Sequence, residues 1–190
     1  MEWIVKRSSE LYVSSSGLSK ASDQFGYGYP FLSYKDVFNN YYAPEELNTF
    51  VNSTEKDRLK CSVKRGDVFL TRTSETTDEL GMSCVALKDY ENATFNGFTK
   101  RLRPLTDEIV PEYAVYFFRS AYFRAQCQSL ASLITRASLN DGMIRRFKIR
   151  FPKEKEKQEK IGKILLTYDT LIENNTKRIR LLEKMAENLY

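Results

Sequence analysis

The segment from Lys153 to Tyr190 constrains the fold of this chain more than any other. It contains no proline and a single glycine, Gly162. Mostly apolar residues recur along it at alternating spacings of four and three, and together they form one seam along the helix. The seam consists of Ile161, Leu165, Tyr168, Ile172, Asn175, Ile179, Leu182, Ala186 and Leu189. Eight of these nine positions are apolar, and about four heptads of this repeat predict a long coiled-coil helix.

The apolar stripe on this helix is wider than a two-stranded seam needs, because Ile164, Leu171 and Met185 flank it. One helix cannot bury such a stripe alone, so it must pack on its own domain, on a second copy or on another protein. We expect the charged run Lys153–Lys160 to be a solvated lead-in, which argues against packing on its own core. The polar exception, Asn175, is typical of residues that fix register or partner number.

The first 151 residues predict a domain of mixed secondary structure. Apolar or alternating runs at 68–70, 83–87, 98–103 and 147–151 indicate strands. Pro111 fits the first turn of a helical region that extends to about residue 131, as one helix or two. Stretches at 14–17, 23–30, 72–80 and 132–143 are expected to be loops. We therefore predict an α+β (mixed α/β) domain over residues 1–151 and a coiled-coil helix over residues 152–190.

Several classes of enzyme are excluded by residues that the sequence lacks. It has no histidine, which removes histidine bases and histidine-containing zinc sites. No Asp or Glu stands two residues before a Lys, there is no Walker loop, and Gly26-Tyr27-Gly28 lacks the third glycine of a dinucleotide fingerprint. An enzyme built on a pair of carboxylates stays open, although no spacing singles out such a pair.

The three cysteines, Cys61, Cys84 and Cys127, are scattered and show no CxxC spacing. This pattern indicates reduced core thiols in a cytoplasmic protein, and it favours neither a metal site nor a disulfide. The N-terminus lacks the apolar run of a signal peptide, and no apolar stretch approaches the length of a membrane span. We therefore expect a cytoplasmic chain with no membrane partner.

Positive charge is concentrated in one part of the chain. Residues 100–150 hold ten Lys or Arg and four acids, whereas residues 1–99 hold eleven basic residues and fourteen acids. From position 119 to 150 seven basic residues face a single acid, Asp141. Such an excess attracts phosphate backbones, and arginine can pair bidentately with guanine. A solvated basic face without a partner explains the same pattern, so charge alone leaves both interpretations open.

In order and spacing, several motifs resemble one half of a type I restriction–modification specificity subunit. Residues 64–74 (KRGDVFLTRTS) match the family's GD-hydrophobic-TR segment, and residues 75–81 and 96–104 continue the match. Ser138-Leu139-Asn140 and Phe151-Pro152 are similar to the end of its target-recognition domain. Positions of the following spacer helix are matched by Gln158, Ile161, Leu165 and Asp169. The chain departs from the family in three ways. It has one copy of each unit where members usually have two, Lys157 replaces the usual Glu before Gln158, and only one proline precedes the helix.

The resemblance implies a non-catalytic subunit that reads DNA for other subunits. Its recognition domain would read a short half-site in double-stranded DNA. Its spacer helix would pair antiparallel with a like helix, with Asn175 near the middle of the seam, and would hold methyltransferase and restriction subunits. No cofactor is expected on this chain, since S-adenosylmethionine would bind the partner methyltransferase. Two copies would form a homodimer on a palindromic bipartite site.

We expect DNA contacts from polar loops beside basic or aromatic residues. The candidates are Tyr27, Tyr29, Tyr34, Lys35, Arg72, Thr73, Ser74, Lys100, Arg101, Arg136, Ser138 and Asn140. The expected dimer or partner interface consists of Ile161, Leu165, Tyr168, Ile172, Asn175, Ile179, Leu182 and Leu189. The alternative function is a coiled-coil adaptor, or a degenerate specificity-subunit remnant, without a DNA target of its own.

Overall fold

The structure is a computed structural model that describes residues 2–74, 76, 78–130, 132–133 and 137–188. Its strands are β1 (Trp3–Arg7), β2 (Tyr12–Ser16), β3 (Phe25–Leu32), β4 (Phe50–Val51), β5 (Val68–Thr71), β6 (Thr73–Ser74), β7 (Ser83–Val85), β8 (Thr94–Phe95), β9 (Thr99–Pro104), β10 (Ser132–Leu133), β11 (Ala137–Ser138) and β12 (Lys148–Pro152). Its helices are α1 (Ser8–Leu11), α2 (Tyr34–Asn39), α3 (Glu55–Lys60), α4 (Pro111–Phe117), α5 (Ala121–Leu130), α6 (Asp141–Ile144) and α7 (Lys155–Glu187), with a 3-10 turn at Ser22–Gln24.

A four-stranded antiparallel sheet, in the order β2-β9-β5-β7, divides the domain into two apolar layers. Successive side chains of a strand point to opposite faces of the sheet. On the central strand β5, Val68 and Leu70 therefore face one layer and Phe69 faces the other, and all three are fully buried. A strand buried on both faces explains why this segment is a continuous apolar run.

Each apolar layer contains aromatic rings that meet edge to face or at a tilt. Helices α4 and α5 and strand β12 supply the first layer, where the Phe123 ring lies 4.8 Å from Phe118 and 4.9 Å from Phe147 between centroids. Strands β3 and β8 and helix α2 supply the second, where Phe69 and Phe95 lie 5.0 Å apart. The three cysteines are buried and free of disulfides, as the sequence predicted, and burial raises the pKa of Cys127 to about 12.

The turn before β5 is organised by a buried carboxylate. Asp67 is fully buried and accepts hydrogen bonds from the Lys64 backbone N–H (2.8 Å) and from Arg103 Nε (2.8 Å) and Nη2 (2.6 Å). Arg103 lies on the neighbouring strand β9, so the Asp67 carboxylate fixes the turn and pins it to the sheet. The KRGD segment that carries the family resemblance therefore has a structural role.

The predicted strands at 68–70, 83–87, 98–103 and 147–151 are confirmed as β5, β7, β9 and β12, and the helical region after Pro111 as α4 and α5. The expected loop at 14–17 is wrong, because Tyr12–Ser16 pairs along its length with β9 and sheet pairing overrides the turn preference of serine. The expected loop at 23–30 is also wrong. Strand β3 occupies it from Phe25 onward, and Gly28, at φ +95°, allows the close approach of β4, because a Cβ there would lie 2.6 Å from Val51 O.

Helix α7 begins at Lys155, and its first turns pack on α4 and β12. Gln158 is fully buried: its Oε1 accepts from the Val110 N–H (2.9 Å), and its Nε2 donates to the carbonyls of Glu108 and Pro152 (both 2.9 Å). Gly162 faces the Glu112 backbone so closely that a Cβ would lie 2.8 Å from the Glu112 carbonyl carbon. The expectation of a solvated lead-in is therefore wrong for the face of α7 that carries Gln158.

The rest of α7 extends into solvent. The helix has 33 residues, which corresponds to roughly 50 Å at 1.5 Å per residue. Every residue from 170 to 188 is exposed. The predicted fold class, a mixed domain followed by a long C-terminal helix, is confirmed. Within the described ranges, no helix combines the length and the apolar composition that crossing a membrane requires.

Candidate nucleic-acid interface

Four segments that are distant in sequence meet on one surface next to β6. Strand β6 pairs with β11, so that Thr73 faces Ser138. The Arg72 N–H donates to the Phe98 carbonyl (3.0 Å), and the Tyr34 hydroxyl donates to the Thr73 carbonyl (3.2 Å). We call this surface the polar patch. It comprises Tyr34, Lys35, Arg72, Thr73, Ser74, Phe98, Ser138 and Asn140.

Some members of the polar patch present their side chains to solvent. Lys35 is exposed on the first turn of α2, a helix that Ser33 caps by accepting a hydrogen bond from the Asp36 N–H (3.1 Å). Arg72 and Thr73 are half-buried. Phe98 is 64% exposed although it is a large apolar residue. Phe98 was not among the sequence candidates, and the available signal was an aromatic residue directly after the turn Asn96-Gly97.

Other members of the patch bind neighbouring groups of the protein and so shape its surface. Ser74 is buried and its hydroxyl donates to Glu79 Oε2 (3.0 Å), which closes the loop after β6. Asn140 Oδ1 accepts from the Met143 N–H (2.9 Å) and so caps α6. Tyr34 stacks on Phe38 with ring centroids 6.1 Å apart, and burial raises the pKa of its hydroxyl. These side chains hold the exposed members in position.

Two predicted tyrosines lie on β3, upstream of the polar patch, and we call their surroundings the tyrosine patch. Tyr27 is 50% exposed, and its hydroxyl oxygen lies 3.4 Å from Asn52 Nδ2. The Tyr29 ring lies 3.7 Å from the Arg58 guanidinium, measured from centroid to Cζ. Asn52 and Arg58 were not among the sequence candidates, because their proximity depends on the pairing of β3 with β4.

Lys100 and Arg101 lie inside the domain, which corrects their place among the candidates. Lys100 Nζ donates to Ser16 Oγ (2.9 Å) and to both oxygens of Asp141 (3.0 and 3.1 Å). Arg101 Nη1 donates to the Ser62 carbonyl (2.6 Å). Both residues are only 6% exposed. Lys100 is paired with Asp141 and Arg101 is buried against the Ser62 carbonyl, so we remove both residues from the proposed DNA contacts. Arg136 lies outside the described residues.

Arginines of the basic stretch also bind carbonyls within the protein. Arg119 donates to the carbonyls of Ser83 (2.7 Å), Val37 (3.1 Å), Phe38 (2.9 Å) and Asn40 (3.0 Å). These contacts hold the end of α2 against β7. In the same way, Arg124 binds the carbonyls of Asp78 and Leu80, and the Arg150 guanidinium lies 4.6 Å from the Trp3 ring centroid. Arg145, Arg146 and Lys148 are exposed. Part of the local charge excess therefore stabilises the fold.

Arg119→Met is expected to lower the free energy of unfolding by about 1–3 kcal/mol, the cost of leaving buried acceptors unpaired. Methionine keeps much of the length and apolar volume of the side chain but donates no hydrogen bond. Urea denaturation followed by circular dichroism would measure the change. Arg146→Met is the matched control, because Arg146 is exposed, and it should leave the midpoint unchanged. Equal midpoints for the two variants would contradict the assigned role of Arg119.

The expected helix interface divides into two parts. Ile161 packs on the core of its own domain, and Leu165 lines a cleft of about 400 Å³ with Trp3, Tyr116 and Tyr122. The next five side chains of the seam are exposed to solvent. The exposed fractions of the four apolar side chains among them lie between 55% and 63%. The five side chains are Tyr168, Ile172, Asn175, Ile179 and Leu182. The flanking residues Ile164, Leu171 and Met185 are also exposed, and Leu189 lies outside the described residues.

Sequence comparison identifies relatives across nearly the whole chain. The profile of the type I restriction modification DNA specificity domain matches residues 2–184. The type I restriction enzyme MjaIX specificity subunit of Methanocaldococcus jannaschii is 27% identical over 192 aligned residues, which cover 100% of this chain and 43% of that protein. The putative MjaX specificity subunit of the same organism is 23% identical over 99% of this chain and 44% of its own length. The chain thus spans less than half the length of these relatives.

Solved structures share the fold. The S subunit of a type I restriction-modification system from M. genitalium superposes with a TM-score of 0.63 at 14% identity, covering 91% of this chain and 40% of that one. The HsdS subunit from Thermoanaerobacter tengcongensis gives a TM-score of 0.59 at 16% identity, covering 90% and 38%. The M. jannaschii relatives are named as specificity subunits, the non-catalytic role expected from the motifs. Because the family profile matches almost every residue, the chain belongs to the family of type I restriction–modification DNA specificity domains.

Proposed function

We propose that this chain is the DNA-reading subunit of a type I restriction–modification complex and works as a homodimer. Each protomer reads one half-site with its polar patch and tyrosine patch. The dimer positions methyltransferase and restriction subunits on the bipartite site that results. The methyltransferase binds S-adenosylmethionine and performs the chemistry, which agrees with the lack of histidine bases and nucleotide-binding loops in this chain.

The observation that carries the proposal is the uncovered apolar stripe on α7. Among the residues that the structure describes, none covers this stripe, and a second copy of the chain supplies a matching surface. The stripe that remains exposed runs from Ile164 to Met185, and Asn175 lies 11 residues from its first residue and 10 from its last. A second copy that packs antiparallel about Asn175 covers the whole exposed stripe in both protomers.

An antiparallel pair of α7 helices has two-fold symmetry, so the same surface is used by both protomers. The two recognition domains then lie at opposite ends of the helix pair. Such a dimer reads two identical half-sites in inverted orientation, separated by a spacer whose length depends on the helix. The two Asn175 side chains meet at the symmetry axis, where each amide can donate to the other.

Arg72→Ala is expected to weaken DNA binding and to reduce the salt dependence of affinity by about one unit of log–log slope for each phosphate that is no longer neutralised. Arg72 lies at the centre of the polar patch, where its backbone bonds Phe98 and Leu139. Affinity would be measured at several salt concentrations on duplexes selected from a random library by the wild-type protein. Lys153→Ala is the control, since it removes an exposed cation that lies outside both patches, next to Glu2. An unchanged slope for Arg72→Ala would remove it from the interface.

The function itself is tested by co-expressing the chain with the methyltransferase subunit of its system and mapping methylated bases across the host genome. The proposal expects methylation at one palindromic sequence with two half-sites and a fixed spacer. Methylation at random positions, or none above the level given by the methyltransferase alone, would contradict it. An adaptor without a DNA target would give this second result.

A further inference from the structure

Helix α7 touches its own domain a second time, above the buried Gln158. The Tyr116 hydroxyl on α4 donates to Asp169 Oδ2 at 2.6 Å. The Tyr116 ring lies 6.1 Å from that of Tyr41, so an aromatic contact also supports the ring. Burial and the adjacent Asp169 carboxylate raise the pKa of Tyr116, and the hydroxyl keeps its proton at neutral pH.

Asp169 marks the point where α7 leaves the domain. It is the last of the described residues along α7 that is partly buried, and residues 170–188 are all exposed. The lower attachment is formed by Gln158 and Gly162, as described above. Gln158 and Asp169 are 11 residues apart, which corresponds to roughly 16 Å along the helix axis. Between them Ile161 packs on the core and Leu165 lines the cleft, so the Tyr116–Asp169 hydrogen bond is the outermost of the contacts that set the direction of the helix.

We propose that Tyr116 and Asp169 form a clamp that fixes the angle between the recognition domain and α7. Both are positioning residues, because they act on the path of the helix and not on DNA. The clamp is a property of one protomer. Its consequence for DNA rests on the proposed function: in an antiparallel dimer, the angle at each end sets the distance between the two half-sites.

The length of the helix beyond Gln158 sets how far a given swing moves its end. Lys184 lies 26 residues beyond Gln158, or roughly 39 Å along the helix. A swing of about 10° about Gln158 then moves Lys184 by about 7 Å, which equals the rise of about two base pairs of duplex DNA. Breaking the clamp should therefore broaden the range of spacers that a dimer accepts by one or two base pairs.

Two variants break the clamp and two preserve it. Tyr116→Phe removes the donor and keeps the ring, and Asp169→Ala removes the acceptor. Asp169→Asn keeps an oxygen that accepts from Tyr116 and is expected to behave like the wild type. Tyr122→Phe is the matched control, because it removes a hydroxyl from a tyrosine that is 43% exposed.

The test is a distance measurement within one protomer. Spin labels at Lys56→Cys on α3 and Lys184→Cys on α7 use exposed positions, and the three native thiols are buried. Labelled protein is diluted with an excess of unlabelled protein, so that pulsed electron resonance reports only distances inside one chain. The distribution should widen by about 5–7 Å in Tyr116→Phe and Asp169→Ala and stay unchanged in Asp169→Asn and Tyr122→Phe.

A distribution in Tyr116→Phe as narrow as in the wild type would overturn the clamp, whatever the protein binds. Widening in all four variants would also overturn it, because the effect would then not depend on this hydrogen bond. Methylation mapping with Tyr116→Phe gives the second readout, where additional spacer lengths are expected at the same half-sites. If the wild type shows no site-specific methylation, the proposed function fails, while the distance measurement still decides the clamp.

Discussion

Replacing Asp67 by alanine is expected to lower the free energy of unfolding by about 3–5 kcal/mol, the usual effect of removing one partner of a buried ion pair. The Asp67 side chain is fully buried, and it accepts two hydrogen bonds from Arg103 and one from the Lys64 N–H. Without it, the guanidinium of Arg103, which is 25% exposed, loses the only carboxylate among the described residues that lies within ion-pair distance. A change of this size is a large part of the roughly 5–15 kcal/mol by which a domain is stable.

Equilibrium unfolding in urea measures this effect through the midpoint at constant slope. Glu45→Ala is the matched control. Glu45 also forms an ion pair, with Lys88 at 2.6 Å, but its side chain is 87% exposed. Exposed pairs contribute little to stability, so the control should unfold at the wild-type midpoint. Similar midpoints for the two variants would show that the Asp67 pair has no special structural role.

The triple substitution of Ile172, Ile179 and Leu182 by lysine is expected to abolish dimerisation and to weaken binding to a two-half-site duplex by a factor of about 10²–10⁴. The three side chains are 63%, 55% and 63% exposed in the protomer, so the fold of one chain does not depend on them. In the proposed dimer they form the seam on both sides of Asn175, and six buried ammonium groups would face one another. Each monomer then binds one half-site independently, whereas the dimer binds both half-sites at once.

Sedimentation velocity would report the oligomeric state, and titrations on duplexes with one or two half-sites would separate the two binding modes. Affinity for a single half-site should stay at the wild-type level, which excludes unfolding as the cause. The control places three lysines on another face of the same helix, at Asn174, Leu181 and Asn188. A triple seam variant that remains dimeric, or a control that dissociates equally, would contradict the antiparallel interface.

Periodicity predicted those parts of the fold that depend on neighbouring residues. The alternation of Phe147–Phe151 and the heptads after Lys153 were sufficient to predict β12 and α7. Strands β6 and β11 were not predicted, because each has only two residues and their pairing joins segments more than sixty residues apart. The polar patch depends on this pairing. Its candidate residues could therefore be named from the sequence, but the sequence could not show that they lie next to one another.

Counting basic residues overestimated the free positive charge for a related reason. A count of arginines does not reveal whether a guanidinium faces solvent or a row of carbonyls. Arg119 and Arg124 donate to backbone oxygens of segments that are distant in sequence. Gln158 shows the reverse case. The family resemblance placed it on the spacer helix, and only the structure reveals that it pairs with three backbone groups of the domain.

The buried Gln158 also determines where such proteins can be recombined. A junction at residue 152 separates Gln158 from the groups of Glu108 and Val110 that it binds. The helix of one parent protein then has to pack on the domain of the other. Glu112 and Gly162 impose the same restriction, because their close contact requires matched partners. The exchangeable module is therefore the recognition domain together with the helix as far as Asp169. Chimaeras that join parts of two such proteins beyond Asp169 keep each contact between domain and helix native. Only the exposed stripe then has to match the surface that it packs on.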